Sequence, residues 1–165
     1  MTRGARGALI GLGVPVLLLL AIQLIPYGRD HANPPAENPV AWDSPRTLEL
    51  ARRACFDCHS NETRWPWYAS IAPLSWRIQT DVNLGRRKLN FSAFEAGTHM
   101  AEAAGDAAES VVRGAMPPDA YISMHPEARL RGADREALVA GLAATFAAFA
   151  KRGEEQRGSS GRSPP

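Results

Sequence analysis

The 165-residue chain has little sulfur and little charge bias, and it lacks several patterns on which common functions depend. It contains two cysteines, and its formal net charge of +2 comes without a long run of lysine and arginine. A nearly neutral chain without a basic run lacks the electrostatic footprint of a nucleic-acid-binding protein. The sequence also has no Gly-rich phosphate loop and no Ser-His-Asp order, which argues against a nucleotide-dependent enzyme or a triad hydrolase.

Strand-like alternation and internal repeats are missing as well. Alanine is abundant, and β-branched residues are sparse after the N-terminal region, so the composition favours helices. Signals that start helices are found at Ser44 with Pro45, Pro73, Ser92 with Glu95, and Asp106 with Glu109. Gly114 and Gly153 are placed to end helices, and Gly85 is a weak point or an end. We therefore expect four or five short helices joined by loops containing proline and glycine.

The N-terminal region differs from the rest of the chain. Arg3 and Arg6 precede an uncharged run over residues 8–25. As a helix this run would cover about 27 Å, close to the thickness of a bilayer core, which predicts a transmembrane anchor over residues 8–26. The alternative is a cleaved signal peptide, but its apolar region would be shorter, and no Ala-x-Ala-like site follows. The two arginines would keep the N-terminus in the cytoplasm.

This interpretation divides the chain into five parts. They are a cytoplasmic N-terminus (1–7), the anchor (8–26), a Pro-rich linker (27–43), a helical domain (44–153) and a disordered tail (154–165). The tail is assigned as disordered because it is polar, rich in Gly, Ser and Pro, and without periodicity. The expected location is the inner membrane, as a single-pass protein with its C-terminal domain in the periplasm or on the outer face.

Both cysteines lie in one short motif, which reads Cys55-Phe56-Asp57-Cys58-His59. This C-x-x-C-H spacing is the pattern of covalent c-type haem attachment. Two thiols three positions apart can form thioethers with the two vinyl groups on one edge of a porphyrin, and the next imidazole is placed to bind the iron. The sequence therefore predicts one haem c, with Cys55 and Cys58 as attachment sites and His59 as the proximal ligand.

Three alternative uses of the motif remain open. A disulfide between Cys55 and Cys58 would close a very small loop and stabilise the chain little. A thioredoxin-like redox pair would be expected in a βαβ setting. A zinc site would need a further ligand at a suitable spacing, and the chain has no second C-x-x-C.

The second axial position of the iron has several candidates. Met116 is favoured, because two prolines follow it and would hold its thioether in a stiff loop outside a helix, similar to the Met-Pro loop of small cytochromes c. His125 and Met124 follow closely and are alternatives, and an open position is another. Met100 lies in a predicted helix, where methionine more often fills a core. Ligation by methionine and histidine would raise the reduction potential.

An aromatic block follows the motif, with Trp65, Trp67, Tyr68 and Trp76. One interpretation is an ordinary core, since these side chains bury a large area. The other is a wall around the porphyrin, in which Trp67 and Tyr68 are haem-pocket residues. Arg64 could form an ion pair with a haem propionate. An exposed Arg64 is the favoured interpretation, because exposed arginines are commoner.

The segments "CFDCHSNETRWPWYASIAPLSW", "LNFS" and "AMPPDAYISMHPEARL" together resemble the small bacterial haem-binding domain family with a c-type site. The resemblance covers about residues 45–150, and its Asn-x-Thr-x-x-Pro-Trp-Tyr block is not shared by ordinary cytochromes c. It implies a small all-α, cytochrome c-like domain around one covalently bound haem. Family members typically carry an N-terminal membrane segment, in agreement with the anchor predicted here.

These predictions lead to a function. A six-coordinate haem leaves no room for substrate on the iron, so it would pass single electrons between partners. We therefore expect a membrane-anchored monohaem c-type protein, not an enzyme, that serves electron transfer on the periplasmic side with redox partners that the sequence does not name. The alternative is a haem-based sensor or interaction module with a displaceable distal ligand. A third interpretation is peroxidase-like chemistry at an open iron.

Overall fold

The computed structural model of the chain describes residues 3–95 and 99–160, and the side chains of 11–95 and 99–151. This described part is helical and has no strand, only one isolated bridge between Asn38 and Ala93. Its α-helices are α1 (Arg3–Ile22), α2 (Pro45–Ala54), α3 (Phe56–His59), α4 (Leu74–Lys88), α5 (His99–Val112), α6 (Asp119–Met124) and α7 (Ala133–Ser160). Two 3-10 turns lie at Trp67–Ser70 and Pro126–Ala128. The prediction of an all-helical chain is confirmed.

The N-terminal helix departs from the sequence-based expectation. α1 ends at Ile22, so the helical part of the apolar run covers residues 8–22, about 22 Å in length and short of the ~30 Å of a bilayer core. Within the described part of the chain, no helix combines the length and the apolar character that crossing a membrane requires. The predicted transmembrane anchor over 8–26 and the predicted location as a single-pass inner-membrane protein are therefore wrong.

The chain separates into two compact units. The first unit consists of Met1–Ala32 and Arg64–Asp81. In it, the Gln23 side-chain amide donates to the Ala72 carbonyl at 2.9 Å and accepts from the Ala72 N–H at 3.0 Å. Further along, the His31 ring stacks on Trp65 with 4.8 Å between ring centroids.

The second unit consists of Asn33–Thr63 and Val82–Pro165, and it holds the C-x-x-C-H motif. Its apolar core has Leu50, Leu138 and Leu142 at 0%, 0% and 2% exposure. Full burial of such a side chain is worth about 1.5–3 kcal/mol. Leu138, Leu142 and Phe146 follow one another at four-residue spacing in α7, and all three lie in this core. The other buried members are Val40, Ala51, Phe56, Leu89, Phe91, Phe94, Ala103, Ala104 and Val111.

Two predicted helix ends are confirmed by their backbone geometry. Ser44 precedes α2, and its hydroxyl accepts from the Thr47 N–H at 3.2 Å, as an N-cap residue does. At the other end of a helix, Gly114 follows α5 with φ of +71°, and its N–H donates to the Val111 carbonyl at 3.1 Å. Glycine suits this position because a left-handed backbone carries no Cβ penalty there.

Other helix predictions are wrong. Ser92 and Glu95 do not begin a helix, because the Ser92 hydroxyl instead accepts from the Asn61 N–H at 3.0 Å, a bond between distant parts of the chain. α5 runs through Asp106 without a break, and α7 continues past Gly153 to Ser160. Of the predicted disordered tail, residues 161–165 lie outside the described residues.

α4 passes through Gly85 without a break because another backbone lies against it. A Cβ at this position would overlap the Cys58 carbonyl oxygen and would lie 2.9 Å from the carbonyl carbon. Only glycine allows the two backbones to approach so closely. Gly85 is therefore neither a weak point nor a helix end, and it is where α4 meets the C-x-x-C-H motif.

α2, which leads into the motif, is held against α7 at two places. A Cβ at Gly141 of α7 would overlap the Thr47 hydroxyl oxygen and would lie 2.6 Å from the Thr47 methyl carbon. Asp134, at the start of α7, pairs with Arg46 and with Arg53, the latter at 2.5 Å. The hydrogen bond from Arg53 is the main reason that the pKa of Asp134 is lowered. α2 is thus fixed along its length before the chain reaches Cys55.

We predict opposite effects for alanine at two glycines that both lie inside helices. Gly141→Ala should destabilise the protein by about 1–3 kcal/mol, because the Thr47 side chain, 2% exposed, has no room to move away. Gly105→Ala in α5 is the matched control, since nothing lies within 4 Å of its Cβ, and it should stabilise by about 0.5–1 kcal/mol. Urea unfolding of both variants measures the free energies. Equal stabilities for the two variants would contradict the close approach of α7 to α2.

Candidate functional site

The C-x-x-C-H motif forms a single helical turn that begins at Cys55. The Cys55 N–H still bonds the last turn of α2, at 2.8 Å from the Ala51 carbonyl oxygen. Its own carbonyl accepts from the N–H groups of Cys58 and His59, at 3.2 and 2.9 Å. α2 therefore continues into α3 with a change of direction at Cys55, and the same turn sets the spacing of both thiols and the imidazole.

The thiols of Cys55 and Cys58 are not joined in a disulfide, and both residues are half-buried. Burial raises the pKa of Cys55 to about 12, and the neighbouring Cys58 thiol raises it further. Cys55 is therefore protonated at neutral pH. Among the described side chains, those of residues 11–95 and 99–151, no group of three or more His, Cys, Asp and Glu is suited to hold a metal ion. The thiols thus stand as a pair beside one imidazole.

His59 is held in a defined orientation by a backbone carbonyl. Its Nδ1 lies 3.0 Å from the Leu89 oxygen. A carbonyl only accepts hydrogen bonds, so Nδ1 carries the proton and donates, and Nε2 keeps its lone pair. Burial lowers the pKa of His59, and backbone hydrogen bonds to Leu89 and Gly85 offset this in part. The result is a neutral imidazole with a basic Nε2, the state that a metal-ligating histidine requires.

The segment after α4 provides the partner of His59 and is itself fixed. The Leu89 N–H donates to the Gly85 carbonyl at 2.9 Å, and the Leu89 side chain is buried in the core. Two residues later, the Phe91 N–H donates to the His59 carbonyl at 2.7 Å. The Phe91 ring also lies 6.0 Å from the imidazole. Residues 89–91 therefore contact His59 through both its side chain and its backbone.

A polar network follows the motif and satisfies its buried groups. The Ser60 hydroxyl donates to the Phe56 carbonyl, and the Thr63 hydroxyl donates to the Asp57 carbonyl, both at 2.8 Å. Arg86 of α4 donates to the Ser60 carbonyl at 2.8 Å and to the Thr63 hydroxyl at 2.9 Å. The chain beyond His59 is thus a buried, hydrogen-bonded turn rather than a mobile loop.

The three candidates for the second axial ligand lie on one segment, residues 116–125. Met116 is 40% exposed, lies outside any helix and bonds the Ser110 carbonyl through its N–H at 3.2 Å. Met124 ends α6 and is 56% exposed, and His125 follows half-buried. In the middle of the segment, the Tyr121 hydroxyl donates to the Asp57 carboxylate at 2.6 Å. The structure therefore ties this segment to the C-x-x-C-H motif, and the choice of Met116 as the ligand stays a prediction.

Trp67 and Tyr68, the predicted haem-pocket residues, belong to the first unit. Trp67 is 78% exposed, and its ring meets Tyr68 edge-on with 5.7 Å between centroids. Their role at a haem stays a prediction.

A small cavity of about 180 Å³ in the second unit lies away from the thiols. Its lining includes Trp42, Phe56 and Phe91 but not Cys55, Cys58 or His59. Ligand pockets usually measure about 300–1,000 Å³, so this cavity is too small for a porphyrin.

The sequence alone did not identify several residues that shape the site. They are Asp57 within the motif, Gly85, Leu89 and Tyr121, which bond or touch the motif, and Arg86, which bonds the turn that follows it. Gly85 could have been identified, because a glycine inside a helical pattern often has a packing reason, such as the close approach of another backbone. No sequence pattern marks the Leu89 carbonyl, because every residue has a backbone carbonyl.

The donor set fits a haem. The imidazole is neutral with its lone pair on Nε2, and two thiols lie on the same helical turn. His59 and the thiols are positioned by backbone bonds, so the arrangement does not depend on flexible side chains.

Comparison with known proteins agrees with this geometry. A family model described as a haem-binding domain matches residues 17–144 of the chain. No curated protein matches the chain, and no solved structure matches it. The family match covers well over half of the sequence and includes the whole of the C-x-x-C-H motif, His59 and the segment 116–125. The chain therefore belongs to the haem-binding domain family, and its cofactor is haem.

Proposed function

We propose that this protein holds its haem covalently through Cys55 and Cys58 and serves in electron transfer, with His59 and Met116 as the axial ligands. The observation that carries the proposal is the hydrogen bond from His59 Nδ1 to the Leu89 carbonyl, at 3.0 Å. It orients a neutral imidazole next to two thiols, which is the donor set of a c-type site.

Covalent attachment needs no oxidant and no reductant. Each thiol would add its S–H bond across one vinyl group, so that the sulfur binds one carbon and the hydrogen goes to the other. Burial raises the pKa of Cys55 to about 12, so its thiol carries this hydrogen at neutral pH. Two such bonds would hold the cofactor beside His59 whatever the oxidation state of the iron.

The residues of the chain favour single-electron transfer over catalysis at the iron. When bound, haem supplies an iron that takes up and releases one electron. His59 would hold one axial position, with its ring fixed by Leu89. The Met116 thioether would fill the other and raise the reduction potential. With both positions filled by the chain itself, no coordination site is left for a substrate.

The first prediction concerns covalent attachment. Wild-type protein produced with a cytochrome c maturation system should have the mass of the polypeptide plus one haem after denaturation. Cys55→Ser and Cys58→Ser should each leave one thioether at most, and the double variant should lose the haem when denatured. Intact mass spectrometry of the wild type, the two single variants and the double variant measures these masses. A bare polypeptide mass for the matured wild type would overturn covalent attachment while leaving haem binding itself intact.

The second prediction concerns the distal ligand. Met116→Ala should keep its haem but lose the low-spin spectrum, because the thioether that completes the coordination is removed. Met124→Ala is the matched control, since this methionine is also exposed and lies on the same segment, and its spectrum should not change. Absorption spectra of the reduced and oxidised proteins decide the result.

Other results would change the assignment. A loss of the low-spin spectrum in Met124→Ala or His125→Ala instead would assign the ligand to that residue. A wild type that is already five-coordinate would contradict electron transfer and favour a haem-based sensor.

The third prediction concerns the helix crossing at Gly85. A Cβ there would overlap the Cys58 carbonyl, so Gly85→Ala should displace the helical turn that carries both thiols. The fraction of protein with covalent haem should therefore fall sharply, measured as the ratio of haem absorbance to total protein. Gly105→Ala, with nothing within 4 Å, should keep the wild-type ratio. An unchanged ratio in Gly85→Ala would show that the crossing does not position the motif.

A further inference from the structure

The segment 116–125, which carries the candidate distal ligands, is held to the motif in an unusual way. Its helix α6 contains no buried residue. Ala128, just beyond the segment, is fully buried, and the Met116 N–H is bonded to α5 at the other end. The segment is thus anchored at its ends, and apolar burial contributes little to holding its middle in place.

A polar bond joins the middle of the segment to the motif. The Tyr121 hydroxyl donates to the Asp57 carboxylate at 2.6 Å, across 64 positions of sequence. Asp57 is 6% exposed, and it lies between the two cysteines that attach the haem. Hydrogen bonds to charged groups are stronger than neutral ones, and the loss of a hydrogen bond to a buried carboxylate is costly.

The Asp57 end of this bond is rigid. Its backbone carbonyl accepts from the Thr63 hydroxyl at 2.8 Å, and Arg86 donates to that same hydroxyl at 2.9 Å. Asp57 also lies within the helical turn of α3. When the bond breaks, it is therefore the Tyr121 side, with its surface helix, that moves.

The Tyr121 ring has a second contact that does not depend on its hydroxyl. It stacks on the His125 ring with 4.3 Å between centroids and 19° between planes. Tyr121 thus links a candidate ligand on its own segment to the residue between the thiols. Phenylalanine at this position would keep the aromatic ring and remove the hydroxyl that bonds Asp57.

We propose that the Tyr121–Asp57 hydrogen bond is a latch that keeps the segment 116–125 against the C-x-x-C-H motif and so sets how readily an external ligand displaces the distal ligand. Tyr121 acts as a positioning residue, and Asp57 is its fixed partner. The inference rests on the proposed function, because it assumes that the distal ligand comes from the chain. It does not depend on which residue binds the iron, since Met116, Met124 and His125 all lie on the latched segment.

The test is a carbon monoxide titration of the reduced holoprotein. Carbon monoxide binds only when the distal ligand leaves, so breaking the latch should raise its apparent affinity, by about tenfold or more for a charge-assisted bond. Tyr121→Phe should show this increase. Ser123→Ala removes a hydroxyl from the same exposed helix, where it bonds only the Ala120 carbonyl, and should match the wild type.

A second variant separates the latch from a general loss of structure. Asp57→Asn keeps an oxygen that accepts the Tyr121 hydroxyl but removes the charge, so its carbon monoxide affinity should lie between the wild type and Tyr121→Phe. In the double variant the two effects should not add, because both changes act on one bond. An affinity in Tyr121→Phe equal to that of the wild type would overturn the latch.

Amide hydrogen exchange on the same holoproteins tests the latch independently of the proposed function. Exchange over residues 116–125 should be faster in Tyr121→Phe than in the wild type or Ser123→Ala. A five-coordinate wild type would refute the proposed electron transfer, and the exchange rates would still decide whether the bond holds the segment. Unchanged exchange in Tyr121→Phe would overturn the latch in either case.

Discussion

The hydrogen bond between His59 Nδ1 and the Leu89 carbonyl is the constraint on which the site depends. Without it, the imidazole could rotate, and either nitrogen could carry the proton. With it, Nδ1 carries the proton and Nε2 keeps its lone pair, and burial keeps the ring neutral by lowering its pKa. A side chain next to two cysteines in sequence thus takes a fixed orientation because of a carbonyl 30 residues away.

Much of the surrounding structure keeps that carbonyl in place. Leu89 is buried in the core, and its N–H continues the hydrogen bonding of α4 through the Gly85 carbonyl. Gly85 in turn lets α4 lie directly on the backbone of Cys58. On the other side, α2 is fixed to α7 at Gly141 and delivers Cys55 in a set position. The site is therefore assembled from backbone contacts between helices, which explains why glycines are found at two of the crossings.

Part of this was predictable from the sequence. The local sequence pattern indicates the helical class, the Ser44 cap and the apolar stripe of α7. The structure has all three features. The C-x-x-C-H spacing carries its chemistry in consecutive residues, so it needed no fold to be recognised. The family match, over residues 17–144, agrees with the resemblance read from the sequence.

The remainder depends on contacts between distant residues. Ser92 has the pattern of a helix cap, but its hydroxyl bonds Asn61, and this tertiary bond overrides the local preference. The apolar N-terminal run predicted a membrane span, and the helix that forms there does not meet that requirement. The partnership of Tyr121 with Asp57 joins residues 64 positions apart, with no periodicity to reveal it. Sequence patterns thus identified the cofactor, and the fold was needed to find the groups that position His59.

The most direct measurement is a crystal structure of the matured holoprotein. The account predicts that His59 Nε2 is bonded to the iron while Nδ1 remains within hydrogen-bond distance of the Leu89 carbonyl, with Cys55 and Cys58 joined to the porphyrin edge. An iron bound by another residue, or a His59 ring turned so that Nδ1 faces the metal, would contradict it.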